Sequence, residues 1–210
     1  MGKTKICTRG PPARAWDFLL YLEKNDMEQS RHTLILSSPE FVENGVIPVK
    51  FSCKGEGISP TLVIDQVPED TQSMALILED PDTAHGVFTH WVLFDILPAN
   101  SINENSEQGV SGLNGSGEMG YTPPCPPSGI HRYYFHVFAL DRALDLRPGS
   151  SREEVEAAMR PHILASGSLM GRFGEGAIEE AREEGHGGGE RTTVDETGAG
   201  AWTADKKAEH

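Results

Sequence analysis

The chain has 210 residues, of which 37% are hydrophobic, and a formal net charge of -14. The length suits one domain with residues to spare, and the modest apolar share marks part of the chain as unpacked. So acidic a protein, with no basic stripe, does not read as a nucleic-acid binder, and anionic membrane surfaces should repel it.

Residues 1–30 share no pattern with the rest of the chain and read as an N-terminal extension. Ala13 to Lys24 suits a short helix, which is marginal alone, and a start at Met27 would make the preceding residues an upstream addition. Basic residues Lys3, Lys5, Arg9 and Arg14 invite a signal-peptide reading. The apolar stretch Phe18 to Leu22 is too short for the about 7–15 residues that such a segment needs, and no run reaches the roughly 20 residues that span a bilayer. With only three cysteines, Cys7, Cys53 and Cys125, a secreted disulfide scaffold is not indicated. The expected setting is cytoplasmic.

Residues 31–173 read as the folded zone. Leu34 to Ser37 is a short strand ending at Ser38-Pro39; Val46 to Cys53 follows the turn signal Asn44-Gly45; Leu62 to Ile64 precedes Val67-Pro68. Met74 to Glu79 is almost continuously apolar, as in a strand covered on both faces, and Phe88 to Leu97 and Tyr133 to Leu140 are similar. This succession predicts a mainly β fold, a sandwich or barrel. Ser150 to Met159 is the clearest helix, with Ser150 and Glu153 as a capping box and Val155, Ala158 and Met159 on one face. Pro161 breaks or kinks it, and Ile163 to Met170 reads as a second short helix. From Gly174 to His210 the chain is glycine-rich and acidic, with too little apolar content to offset ordering entropy, so a disordered tail is expected.

Two constellations carry chemistry. Asp80-Pro81-Asp82 closes a buried strand, and His90 lies in the next; if the two strands are antiparallel neighbours, His90 returns beside Asp80. Carboxylates next to an imidazole orient it and raise its pKa, which suits an anionic ligand. Residue types alone favour a plainer reading, a capped turn beside a satisfied rim histidine. The second is Gly120 to Tyr133, where four prolines, Pro123, Pro124, Pro126 and Pro127, stiffen a loop and Gly129 turns it into a strand. Alternation then puts His131 and Tyr133 on one face, with Phe135 and Val137, and Arg132, Tyr134 and His136 on the other. Metal ligation by Asp80, Asp82, His90 and His131 lacks a short ligand spacing. A Cys125–His131 nucleophile pair lacks a helix N-terminus to activate the thiol. Cys125 reads instead as a small packed residue or one near Cys53.

Met74 to Ile96 (MALILEDPDTAHGVFTHWVLFDI) closely resembles the first signature of the phosphatidylethanolamine-binding protein family, and Gly120 to Asp141 (GYTPPCPPSGIHRYYFHVFALD) resembles its second. Cys53 to Leu62 is similar to the early loop of bacterial and archaeal members, and Ala157 to Phe173 to their C-terminal helical close. The resemblance implies an antiparallel β-sandwich of one large and one smaller sheet with short C-terminal helices. It also implies a pocket for phosphate-like anions and phospholipid headgroups formed by Asp80, Asp82, His90, Pro127, His131 and Tyr133. On that basis both constellations become a binding site. The aspartates would hold the imidazoles and could receive an ammonium from a zwitterionic headgroup. The reading is a regulatory binding protein rather than an enzyme, with no cofactor or metal, related to Raf kinase inhibitor-like proteins and dimeric as prokaryotic members commonly are. Inhibition of a protein kinase or protease by surface docking, and a metal- or acid/base-dependent enzyme, are the alternatives. Three departures stand out: His85-Gly86-Val87 after the Asp-Pro-Asp turn, Pro123-Pro124 before the cysteine, and Pro161 in the helical close.

Overall fold

In the computed structural model, which describes residues 32–179, the apolar runs become the strands of two packed sheets. In chain order the strands are β1 (His32–Thr33), β2 (Ile35–Ser37), β3 (Gly45–Val46), β4 (Leu62–Asp65), β5 (Ser73–Asp80), β6 (Phe88–Ile96), β7 (Ser101–Ile102), β8 (Val110–Ser111), β9 (Ile130–Leu140) and β10 (Ile163–Gly174). The larger sheet runs β1-β10-β9-β5-β6-β8, with β3 also on β10, and the smaller runs β2-β4-β7. This is the expected pair of one large and one smaller sheet. It is antiparallel except where β10 takes β1 and β3 as parallel neighbours. The extension 1–30 lies outside the described residues, as does the tail from 180 onward. Among the described residues no helix is long and apolar enough to cross a membrane.

All eight residues of β5 are buried because both of its faces are covered. One core fills the space between the sheets, where Leu76, Leu78, Trp91, Phe135 and Phe173 meet Leu62, Ile64 and Ile102. A second lies on the outer face of the large sheet, where Ala75, Ile77, Val92 and Phe138 receive Val155 and Met159 from the helix α1 (Arg152–Met159). Removing such side chains from water is the main force holding the layers together, at about 1.5–3 kcal/mol for each large aliphatic or aromatic group.

Four expectations change. The strand expected over Val46 to Cys53 stops at Val46, because Pro48 cannot donate to a ladder, and the chain turns through a short 3-10 helix (Val49–Phe51). The capping box sits one residue later: the Ser151 hydroxyl accepts from the Glu154 amide at 3.3 Å, and Glu154 accepts from the Ser151 amide at 2.8 Å. Ser150 is occupied by Arg147, whose carbonyl accepts from both its amide and its hydroxyl. The second helix expected over Ile163 to Met170, and with it most of the helical close implied for Ala157 to Phe173, is a strand of twelve residues. Its core face carries Ala165, Leu169 and Phe173, spaced four apart as on a helix, with Gly167 and Gly171 between them. A Cβ on Gly171 would lie 2.5 Å from Ile47 Cγ1, and one on Gly167 would lie 2.5 Å from the Leu34 carbonyl, so close packing requires glycine there. Finally, ordered structure passes the expected boundary at 173 into a helical turn over 175–179, where Ala177 is fully buried and Glu175 pairs with Lys54 at 2.7 Å.

Replacing Ser151 with alanine should cost about 1 kcal/mol by removing the helix cap. A lower urea midpoint with an unchanged slope would register this; no change would mean that packing alone holds the helix.

Candidate functional site: a rim pocket of carboxylates and imidazoles

Strand pairing brings the two constellations together. β5 lies between β6 and β9, antiparallel to both, so the end of β5 at Asp80 meets the start of β6 at Phe88 and the start of β9. There the chain encloses a cavity of about 530 Å³. All six residues named from the sequence line it: Asp80, Asp82, His90, Pro127, His131 and Tyr133. Its wall adds Phe88, Pro123, Cys125 and Pro126, and Thr83 to His85 form the opposite lip. That lip is the departure His85-Gly86: Gly86 turns at φ +101°, and its carbonyl accepts from the Thr83 hydroxyl.

The register of β6 explains how His90 reaches the cavity. Leu78 pairs with Trp91 and Glu79 with Thr89, so His90 is the extra residue of a β-bulge. A bulge re-aims one side chain, and here it allows His90 to line the pocket while Trp91 packs in the core. The His90 Nδ1 lies 2.8 Å from the Thr122 carbonyl oxygen, and the Thr122 amide donates to the His90 carbonyl. A carbonyl only accepts, so Nδ1 carries the proton and Nε2 presents its lone pair. Phe88 and Tyr133 meet the ring edge-on at 4.8 and 5.3 Å.

Burial is the largest influence on His90 and lowers its pKa, against the opposing pull of the Thr122 bond and of Asp80. The sequence-based expectation that neighbouring carboxylates raise it fails because desolvation of a cation outweighs the attraction. Since an unfolded histidine protonates near about 6.5 and the buried one resists, His90 favours the folded state fully above that pH. This contribution is lost as pH falls from there through the folded value. The loss of stability between pH 7.5 and 5.5, read from urea midpoints, should be shallower in His90→Gln. Identical slopes would assign the acid sensitivity to another group.

Asp80 is a hub. One oxygen accepts from the Asp82 amide at 2.8 Å and the other from His131 Nδ1 at 2.7 Å. Burial, then the nearby Asp80 carboxylate, push the Tyr133 phenol well up, so its hydroxyl stays protonated. Asp82 does not hold an imidazole, contrary to expectation. Arg132 grips it in a fork, Nε to Oδ2 at 2.9 Å and Nη2 to Oδ1 at 2.6 Å, and the Arg132 amide adds a bond at 2.9 Å. These bonds hold the Asp82 carboxyl below its usual range. Arg132 and Thr122 were missed in the sequence: each acts by bonding a residue far away in the chain, and no local pattern reports such bonds.

The carboxylate oxygens are therefore engaged, while among the described residues neither His90 Nε2 nor His131 Nε2 has a hydrogen-bond partner in the protein. Among the described residues no group of three or more His, Cys, Asp or Glu side chains is arranged to hold a metal ion. Cys53 and Cys125, which the sequence left as neighbours at most, form a disulfide.

Two packed sheets with a pocket at their rim describe a ligand-binding β protein. More narrowly, the chain belongs to the phosphatidylethanolamine-binding protein family, whose model matches residues 37–174. It is 45% identical over 149 residues to a UPF0098 protein of Methanothermobacter thermautotrophicus, a match covering 67% of this chain and 99% of that one. A UPF0098 protein of Chlamydia muridarum is 42% identical over 145 residues, covering 66% and 97%. Among solved structures, the putative phosphatidylethanolamine-binding protein homolog CT736 of Chlamydia trachomatis aligns with a TM-score of 0.66 at 40% identity, covering 69% of this chain and 99% of that one. E. coli YbcL, at 24% identity and a TM-score of 0.62, shares the fold, over 67% of this chain and 98% of that one.

Proposed function

We propose that the rim pocket binds a small phosphoryl-type anion, free or as a headgroup, and that the protein regulates by binding rather than by catalysis. The observation that carries this reading is the pair of unengaged imidazole Nε2 atoms in a cavity whose carboxylates are already bonded. His90 offers a lone pair. His131, oriented by Asp80, donates from Nε2 when its ring holds both protons. A phosphoryl group with one P–OH and one charged oxygen satisfies both, and a charge-assisted bond of this kind is about twice as strong as a neutral one. The apolar wall of Phe88 and the prolines suits an organic substituent on the phosphate.

Asp82 no longer serves as an ammonium acceptor in this reading, because Arg132 occupies it. Calorimetry with inorganic phosphate and with phosphorylethanolamine tests the point. Both should bind, and Asp82→Ala should weaken them by the same factor, through loss of the Arg132 clamp at the pocket mouth. A loss confined to phosphorylethanolamine would restore the ammonium role; no binding of either would defeat the anion reading.

We place this activity in the cytoplasm. Disulfides there are usually transient rather than permanent, which bears on the Cys53–Cys125 pair.

A further inference from the structure

The Cys53–Cys125 disulfide joins residues 72 apart, and both cysteines are exposed. Cys125 also lines the pocket, in the middle of its proline wall. Among the described residues the wall's other hydrogen bonds lie on its N-terminal side. The Tyr121 hydroxyl donates to the Phe51 carbonyl, Thr122 exchanges bonds with His90, and the Cys53 amide donates to the Pro124 carbonyl. Pro126 and Pro127 have no N–H to donate. Among the described residues no hydrogen bond ties 125–129 to another part of the molecule before β9 begins at Ile130. The disulfide is thus the cross-link that holds Pro126, Pro127 and Ser128 over the cavity. Its far end sits on the 50–57 turn, itself clasped through Lys54 to Glu175.

We propose that Cys53–Cys125 is a thiol–disulfide exchange site that controls the pocket: a dithiol reductant opens the bond, the proline wall loses its anchor, and the site releases its ligand. In the exchange, a reductant thiolate attacks one sulfur, giving a mixed disulfide and freeing the other cysteine as a thiolate. The reductant's second thiol then displaces the first cysteine. The net change is two electrons and two protons to the protein, leaving two thiols and a cyclic oxidised reductant. Exposure makes this feasible, since attack requires access to a sulfur. The effect reaches the ligand site because Thr122, three residues before Cys125, fixes the proton on His90 Nδ1. The inference concerns the same cavity as the anion reading and rests on it for the ligand, but the change in the wall is measurable without one.

The test uses the full chain carrying Cys7→Ser, so that one pair alone can exchange. It is compared oxidised and after dithiothreitol, with Cys53→Ser/Cys125→Ser as a permanently open form. Expected results are two thiols titrating without denaturant, His90 imidazole resonances that move on reduction in ligand-free protein, and hydrogen exchange that rises within 50–57 and 120–130. Inorganic phosphate should bind about tenfold or more weakly to the reduced and open forms, as expected when binding must reorder a wall segment. Unmoved His90 resonances with equal phosphate affinity would overturn the proposal. So would thiols that titrate only in denaturant, or exchange that rises across both sheets, which would make the bond a staple of the whole fold. If neither form binds phosphate, the anion reading fails, while the His90 resonances and the exchange pattern still decide for or against the latch.

Discussion

Replacing Arg152 with leucine should destabilise the protein by about 3–5 kcal/mol, the scale for removing one partner from a buried ion pair. Arg152 projects from α1 onto the back of the pocket floor. It reaches Glu79 at 2.5 Å, Glu156 at 2.6 Å and the Thr89 hydroxyl at 3.2 Å, and all three partners are buried. Burial pushes Glu79 up, but His136 and Arg152 outweigh it, so its pKa is lowered overall. For Glu156 burial wins and its pKa is raised. With the guanidinium gone, Glu79 would keep only the His136 ring beside it, and Glu156 would lose the counter-charge that opposes its burial and would hold its proton more tightly than in the unfolded chain. A raised folded pKa contributes stability at low pH that is lost as pH rises through that value. The leucine variant should therefore recover part of its deficit as pH falls toward about 4.5, near the ordinary glutamate value, and Glu79→Gln/Glu156→Gln should rescue it at neutral pH. Urea midpoints of the three proteins at pH 7.5 and 5 measure this; a loss below 1 kcal/mol at neutral pH would show that water reaches the cluster. Because Glu79 adjoins Asp80 and Thr89 adjoins His90, the network also holds the strand ends that carry the pocket.

Phosphate affinity should fall roughly ten- to hundredfold in His131→Ala, the equivalent of one charge-assisted hydrogen bond lost from a sheltered site. His131 lies at the opening of β9 with Nδ1 on Asp80, so its free nitrogen has one orientation. Asp80→Asn should lose less, because an amide oxygen can still accept from Nδ1 and hold the ring in place. The order wild type, then Asp80→Asn, then His131→Ala in calorimetric affinity, with thermal midpoints followed in parallel, separates a ligand contact from a general loss of fold. Equal affinity in His131→Ala and wild type would remove His131 from the ligand site.

Several features were legible in the chain because they depend on local pattern. The unbroken apolar run of β5 signals a strand covered on both faces, and both cores do meet there. Alternation along β9 separates His131 and Tyr133 from His136, and the structure turns the first two into the cavity while His136 meets Glu79 on the back. The Asp-Pro-Asp turn and the return of the next strand were likewise readable, since a tight connection between consecutive strands makes them antiparallel neighbours.

The layered β plan and the shared face of His131 and Tyr133 are thus written in the chain, because a period of two and turn-forming residues act over a few positions. That β10 is a strand required packing in three dimensions, since its large residues repeat every fourth position and the glycines between them fit only against Leu34 and Ile47. So did the facts that Asp82 answers to Arg132, that a bulge aims His90 and burial keeps its pKa low, and that Cys53 reaches Cys125. The physical reason is common to all of these. Burial, ion pairing and covalent cross-linking depend on distance in space, and that distance is set by how whole sheets pack, not by spacing along the chain.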